Sequence, residues 1–378
     1  MGEIFTFIND FSLQNVALGA ALLGVSSGIL GSFTMLKEQS LLGDALSHAA
    51  LPGIALGFII SGSRTLLPIM TGALITAAIA AISISLIIRR SRIKTDAALG
   101  ITLSSFLAFG LVLLTFISHQ NNAGQAGLNR FLFGQAASIL PQDVYVMAAV
   151  TGFSILIVSI LWKEYKIITF DPQFAASLGF PLFWLELSLT VLISLAIVVG
   201  LQMVGVVLMS AMLIAPAVAA RQWVDTLEKM VTLSATIGAF SGVIGAVISA
   251  SAKGLATGPL IVIIASIAII ISLLFAPNRG VVWRSIKVRK NNLVLRENQV
   301  LVDLYKLANE HGYPDYKIEY GMIKSFYRQN PNKLLKQLEE KAYLVRVEHV
   351  KEEGKHWALS KQGYDRAQEI WESVGDNS

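Results

Sequence analysis

The sequence predicts an all-α polytopic membrane protein of about nine transmembrane helices, followed by a small soluble α+β domain. Three observations predict it. Of the 378 residues, 54% are hydrophobic and 15% charged, against the roughly 25% charged residues of a soluble domain. The mean hydropathy is +0.62, which puts most apolar surface against lipid rather than inside one core. After Pro277 the chain turns charged within a few residues and stays so to Ser378. An ordinary soluble enzyme is excluded. The absence of cysteine also excludes disulfides and thiolate metal sites.

Windows of about 19 residues give apolar segments at 14–36, 43–62, 66–88, 97–118, 142–161, 182–200, 201–219, 230–250 and 256–276. Arg89, Arg90, Arg92 and Lys94 follow the third, Lys163 and Lys166 the fifth, Arg221 the seventh, and Arg279 and Arg284 the ninth. Lys and Arg gather on the cytoplasmic side of membrane spans. Nine spans therefore put the N-terminus outside, the C-terminus inside and the polar loop His119–Arg130 outside, with Arg64, Arg130 and Lys253 against the trend. The stretch 182–219 is almost unbroken, with Glu186 and Gln202 as interruptions and Gly200 and Gly205 to turn the chain. One span plus a re-entrant half-helix also fits it. Met1–Phe11 carries Glu3 and Asp10 without Lys or Arg, the wrong sign for a secretory signal.

The domains are expected at 1–280 and 285–378. In the second, the pattern reads helix (Glu297–Glu310), a turn with Gly312 and Pro314, helix (Lys317–Arg328), and a third helix after Asn330-Pro331. Strands at Tyr343–His349 and Lys355–Leu359 flank a turn, and a last helix runs from Gln362 to Glu372. This order resembles a winged helix-turn-helix domain.

The informative membrane motif is Gly43-Asp44-Ala45-Leu46-Ser47-His48-Ala49-Ala50-Leu51-Pro52-Gly53. Asp44 and His48 lie four apart, on one helix face. Ionisable groups inside an apolar span are costly, which makes a functional site the default reading. Carboxylate oxygen and imidazole nitrogen suit a divalent first-row metal; a plain Asp–His hydrogen bond between helices is the structural alternative. Pro52-Gly53 is expected to kink or break the helix just after the pair. His119 reads as a solvated loop residue. The run Phe170–Pro181 reads as a short helix: Asp171 caps it, Pro172 sits in its first turn, and Gly179 ends it. Its Phe174/Leu178 face suits a docking partner or the membrane interface. Gly238–Gly245 reads as close helix packing. No Gly-x-x-x-x-Gly-Lys-Ser/Thr occurs, so the chain builds no P-loop.

These segments resemble the permease subunit of a bacterial ABC importer for manganese, zinc or iron. The matching pieces are Leu42–Ala49, Lys94–Ile101, Asp171–Gly179, Val204–Ala217 and Thr257–Pro259, in the family's order. The resemblance implies a type II importer-like fold in the bacterial cytoplasmic membrane and no enzymatic activity in this chain. It implies two permease chains, the same or related, two ABC ATPase subunits and an extracytoplasmic metal-binding protein. The ion is cargo, with no permanent cofactor. Asp44 and His48 match the family's metal-path pair. Asp171, Pro172, Phe174, Ala175, Leu178 and Gly179 match its ATPase-coupling helix. Where the family often has a Tyr before Leu-Phe-Gly, this chain has Arg130-Phe131-Leu132-Phe133-Gly134. Many members stop after the last span; manganese-type permeases with extensions exist, which tilts the ion toward manganese.

Two other readings stay open. One is a membrane-anchored transcription regulator, and the other an ion-coupled secondary carrier. Against the first, Ser285–Ser378 holds 16 Lys and Arg and 14 Asp and Glu, a weak footprint for nucleic acid. The third helix of that domain sets Lys333, Lys336 and Lys341 beside Glu339 and Glu340. A regulatory or protein-contact role is therefore favoured, and His349 and His356 beside the hairpin turn read as bystanders.

Overall fold

The computed structural model describes residues 11–61, 66–119, 139–251, 255–277, 279–313, 316–321, 323, 332–347 and 356–375. The chain divides into two compact units, Met1–Val281 and Val282–Ser378. The expected outside loop beyond His119, the first ten residues and the hairpin turn with His349 lie outside the described residues.

The first unit is helical: α1 (Phe11–Leu36), α2 (Leu42–Ser61), α3 (Leu66–Arg90), α4 (Thr95–His119), α5 (Pro141–Ile160), α6 (Trp162–Phe170), α7 (Pro172–Ser177), α8 (Leu182–Val204), α9 (Val206–Arg221), α10 (Leu227–Ser251) and α11 (Thr257–Phe275). Among the described residues, eight helices are long and apolar enough to cross a membrane: α1 to α5, α8, α10 and α11. In lipid only a backbone that bonds to itself is tolerated, and uninterrupted helices meet that demand. The stretch expected as spans 182–200 and 201–219 divides instead at Gly205, whose φ of 86° reverses the chain. Such a φ is open to glycine at little cost. After it, α9 has 16 residues, about 24 Å of helix, short of a hydrocarbon core of about 30 Å. Gly200 of α8 faces the Met209 side chain of α9 across this turn.

Small residues bring the helices together. A Cβ on Gly24 would collide with the Gly238 carbonyl, one on Gly28 with the Ser234 carbonyl, and one on Gly242 with the Ala20 carbonyl. These pairs run α1 antiparallel to α10, and the Ser234 hydroxyl donates to the Gly28 carbonyl at 2.8 Å. The reading of Gly238–Gly245 as close packing matches this contact. Gly53 and Gly72 join α2 to α3 in the same way, and Gly31 meets the Leu213 carbonyl of α9.

Ion pairs gather at one end of this bundle. Glu186 at the start of α8 binds Lys37 after α1 at 3.1 Å and Arg89 at the end of α3 at 2.9 Å. Lys166 of α6 pairs with Glu228 in the first turn of α10 at 2.5 Å, and Arg279 pairs with Asp225 at 2.9 Å. Because α1 and α10 are antiparallel, the end of one and the start of the other share this side.

The second unit comprises α12 (Val281–His311), β1 (Ile318–Glu319), α13 (Asn332–Glu340), β2 (Leu344–Val347), β3 (His356–Leu359) and α14 (Lys361–Gly375). Its antiparallel sheet has the order β1-β3-β2, with Leu344 opposite Leu359 and Ile318 opposite Trp357. Val300, Leu301 and Leu304 of α12 pack with Leu335, Leu338 and Trp357 in its core. Two expectations are corrected. The first helix starts at Val281 rather than Glu297, because sixteen exposed residues precede its core-facing part. The segment expected as helix from Lys317 opens as strand β1, because a buried Ile318 pairs with β3 and covers its free edge.

Gly238→Leu is expected to force α1 and α10 apart and to cost about 1–3 kcal/mol, read as a lower unfolding temperature in detergent. Gly152→Ala is the control, since no atom lies within 4 Å of its added Cβ; that variant should unfold at or above the wild-type temperature.

Candidate functional site

Helix α2 starts against α9. A Cβ on Gly43 would sit 3.1 Å from Ser210 Cα, so α9 supports the turn that carries Asp44 and His48. Both side chains are half-buried, on one face and about 5–6 Å apart between Cβ atoms by helical geometry. The His48 Nδ1 is buried and has no hydrogen-bond partner, and neither has the Ser47 hydroxyl beside it. Buried polar groups are ordinarily satisfied, so an unpartnered imidazole nitrogen one turn from a carboxylate is poised to accept a cation. No group of three or more His, Asp or Glu that could hold a metal occurs among the described residues. Asp44 and His48 therefore stand as a pair, one carboxylate and one imidazole, with no third such group beside them among the described residues.

The expected break at Pro52-Gly53 is corrected: α2 runs through both residues to Ser61. Both are buried, with Gly53 against the Gly72 carbonyl of α3 and Pro52 facing Gly110 of α4. The helix continues through the proline with close neighbours on both sides. Pro52 still has no N–H, so the carbonyl four residues earlier, that of His48, lacks its helical donor. That leaves an oxygen acceptor beside the Asp44/His48 pair.

Between α6 and α8 the punctuated helix forms as its sequence suggests. The Asp171 carboxylate accepts from the Phe174 N–H at 2.8 Å, satisfying one orphan donor of the first turn. Pro172 occupies that turn and Gly179 has φ of 81°. Ala175 is fully buried, while Phe174 and Leu178 are 53% and 55% exposed. The helix is therefore fixed to its unit through Ala175 and presents two large apolar side chains outward. Phe170, equally exposed at 56%, widens this apolar surface.

The bridge at Glu186 was legible only as an interruption of an apolar run. Its two partners lie 149 and 97 residues away, a separation that local pattern cannot relate. Arg89 also stacks over the Phe183 ring at 5.1 Å.

The model of the ABC 3 transport family matches residues 9–276. The chain belongs to this family. It is 43% identical over 297 residues to the zinc transport system membrane protein TroC of Treponema pallidum, covering 79% of this chain and all of that protein. With the manganese transport system membrane protein MntC of Bacillus subtilis it shares 38% identity over 363 residues, 93% of this chain and 83% of that one. A solved structure of PsaBC from Streptococcus pneumoniae in complex with Fab superposes with a TM-score of 0.65 at 34% identity, over 76% of this chain and 98% of that chain. The chain is thus a multi-pass membrane permease of an ABC transporter and not an enzyme; the ATPase is a separate subunit.

Glu186→Ala should leave Lys37, whose side chain is 13% exposed, without its partner, at a cost of about 1–3 kcal/mol. Arg89→Ala, at a more exposed position, should cost about 0–1 kcal/mol. Thermal unfolding of the two purified variants in one detergent checks the order; equal losses would contradict it.

Proposed function

We propose that the chain is the permease subunit of an ATP-driven importer of divalent transition metal ions, manganese before zinc or iron. The observation that carries this reading is the unpartnered His48 Nδ1 one turn from Asp44 in a helix long enough to span the membrane. Two copies of this pair, each a half-site, facing each other across a two-fold axis present two carboxylates and two imidazoles. Zinc accepts such a set tetrahedrally, and manganese calls for further oxygens, which the two His48 carbonyls would supply. Manganese is favoured because the relative carrying that name aligns over 93% of this chain, a length that takes in part of the second unit. The zinc-named relative aligns over 79%.

In this reading an extracytoplasmic binding protein delivers the ion and two permease chains, identical or related, enclose its path. Two ATPase subunits seat on Phe174 and Leu178. Their closure moves α7, fixed through Asp171 and Ala175, and so switches access from one side to the other. The ion-paired end of the bundle is cytoplasmic, in keeping with its Lys and Arg. Helix α9 is a short ninth crossing that returns from Gly205 to this end, where Arg221 donates to the Asp225 carbonyl. An odd count leaves the N-terminus outside and the second unit in the cytoplasm.

The second unit, about 285–378, is read as a winged helix-turn-helix domain in a regulatory role. Its element order, three-stranded sheet and β2–β3 hairpin support that reading. Lys341, at the end of α13, is engaged by Glu297 at 2.5 Å, which takes one more cation from an already weak nucleic-acid footprint. Membership of a transport family argues against the membrane-anchored regulator, and the exposed Phe174/Leu178 surface against a carrier that needs no partner.

Asp44→Ala and His48→Ala are each expected to reduce manganese uptake to the level of cells lacking the protein, with membrane insertion and ATPase assembly intact. Phe174→Asp should do the reverse, losing co-purification of the ATPase while the pair stays whole. Normal uptake by both single variants would defeat the assignment of the half-site. A chain ending at Pro277 should still transport but respond differently to metal supply.

A further inference from the structure

Helix α12 begins as a solvent-exposed helix. Every residue from Val281 to Arg296 is exposed, and burial starts at Glu297. This stretch carries Arg284, Lys287, Arg289, Lys290 and Arg296 and no Asp or Glu. The first four make no ion pair among the described residues. Apolar side chains are mixed with them: Trp283 and Ile286 are each 52% exposed and Leu295 64%. At 100° per residue, Val282, Ile286 and Leu293 fall within about 40° of one another, with Arg289 and Lys290 at the edges of that stripe.

The location narrows the partner. Helix α11, free of charged residues and long enough to span a membrane, ends at Phe275. The connection to α12 is tight, since the Gly280 N–H donates to the Ala276 carbonyl at 2.7 Å. The basic stretch therefore starts within a few residues of the membrane exit. Basic residues immediately beside a span are drawn to anionic headgroups, and long cationic side chains at the edge of an apolar stripe reach outward while their stems stay apolar. Single-sign charge excludes a mixed-charge protein surface as the natural complement.

We propose that Val281–Arg296 is an interfacial helix that binds anionic phospholipid headgroups, with Val282, Ile286 and Leu293 set into the headgroup layer. It requires only that α11 spans the membrane and is independent of which ion the permease carries.

The chain has no cysteine, so Ile286→Cys offers a single labelling position in the full-length protein. With a polarity-sensitive dye there, the protein is reconstituted in bilayers of phosphatidylcholine alone or of phosphatidylcholine with phosphatidylglycerol, each containing a brominated lipid as quencher. Quenching is expected to rise roughly twofold or more with phosphatidylglycerol and to fall back at high salt. Replacing Arg284, Lys287, Arg289 and Lys290 together by Gln should abolish the rise. Lys336→Gln with Lys361→Gln, which removes charge elsewhere in the same unit, should leave it in place. Equal quenching in both bilayers would overturn the proposal. So would a dye shielded whatever the lipid charge, which would mean that a second copy or another protein covers the helix. No readout uses metal uptake, so failure here and failure of the permease reading are told apart.

Discussion

Close backbone approach is the constraint on which the rest of the first unit depends. Between helices in lipid no apolar area is withdrawn from water, so association rests on packing and on hydrogen bonds across the contact. Helix α1 answers with Ala20, Gly24, Gly28 and Gly31 along its length, the first three against α10 and the last against α9. The placement of α9 follows, and with it that of Ser210 against Gly43 at the start of α2. Asp44 and His48 thus owe their position to glycines that carry no chemistry. A β-carbon at one of these contacts would displace the candidate site without touching it.

Charge organises what packing leaves free. At one end of the bundle Glu186 holds two cations from different helices, and its neighbour Phe183 supplies an aromatic face to one of them. The same residues open α8, which α7 precedes by a short turn. The outward helix and the ionic junction are therefore adjacent along the chain, and displacement of one bears directly on the other. Isolated surface pairs contribute little; a carboxylate shared between a nearly buried lysine and an arginine is better placed, because its side chain is already ordered by the first contact.

Sequence pattern singled out candidate residues more readily than it described the fold around them. Asp44 and His48 stand out because ionisable groups four apart in an apolar run have few structural excuses, and Asp171, Pro172 and Gly179 because each does a local job at a helix end. Pro52 misled for a physical reason: a proline is read as a break, yet here Gly53 and Gly110 leave room for tight neighbours and the helix continues. The start of α12 was missed because periodicity records a core, and residues 281–296 face none. Strand β1 is two residues long, too short for alternation to register. The reversal at Gly205 was narrowed to two glycines, and only a positive φ chooses between them.

The half-site has a consequence for the time before assembly. On the proposed function, a newly inserted chain would hold one carboxylate and one imidazole, a pair too sparse to strip a hydrated ion of its water. On that reading, transport arises only when a second chain closes the set. An unmatched subunit waiting in the bilayer would then be electrically silent, and the cell would need no separate plug against leakage while its transporters are being built.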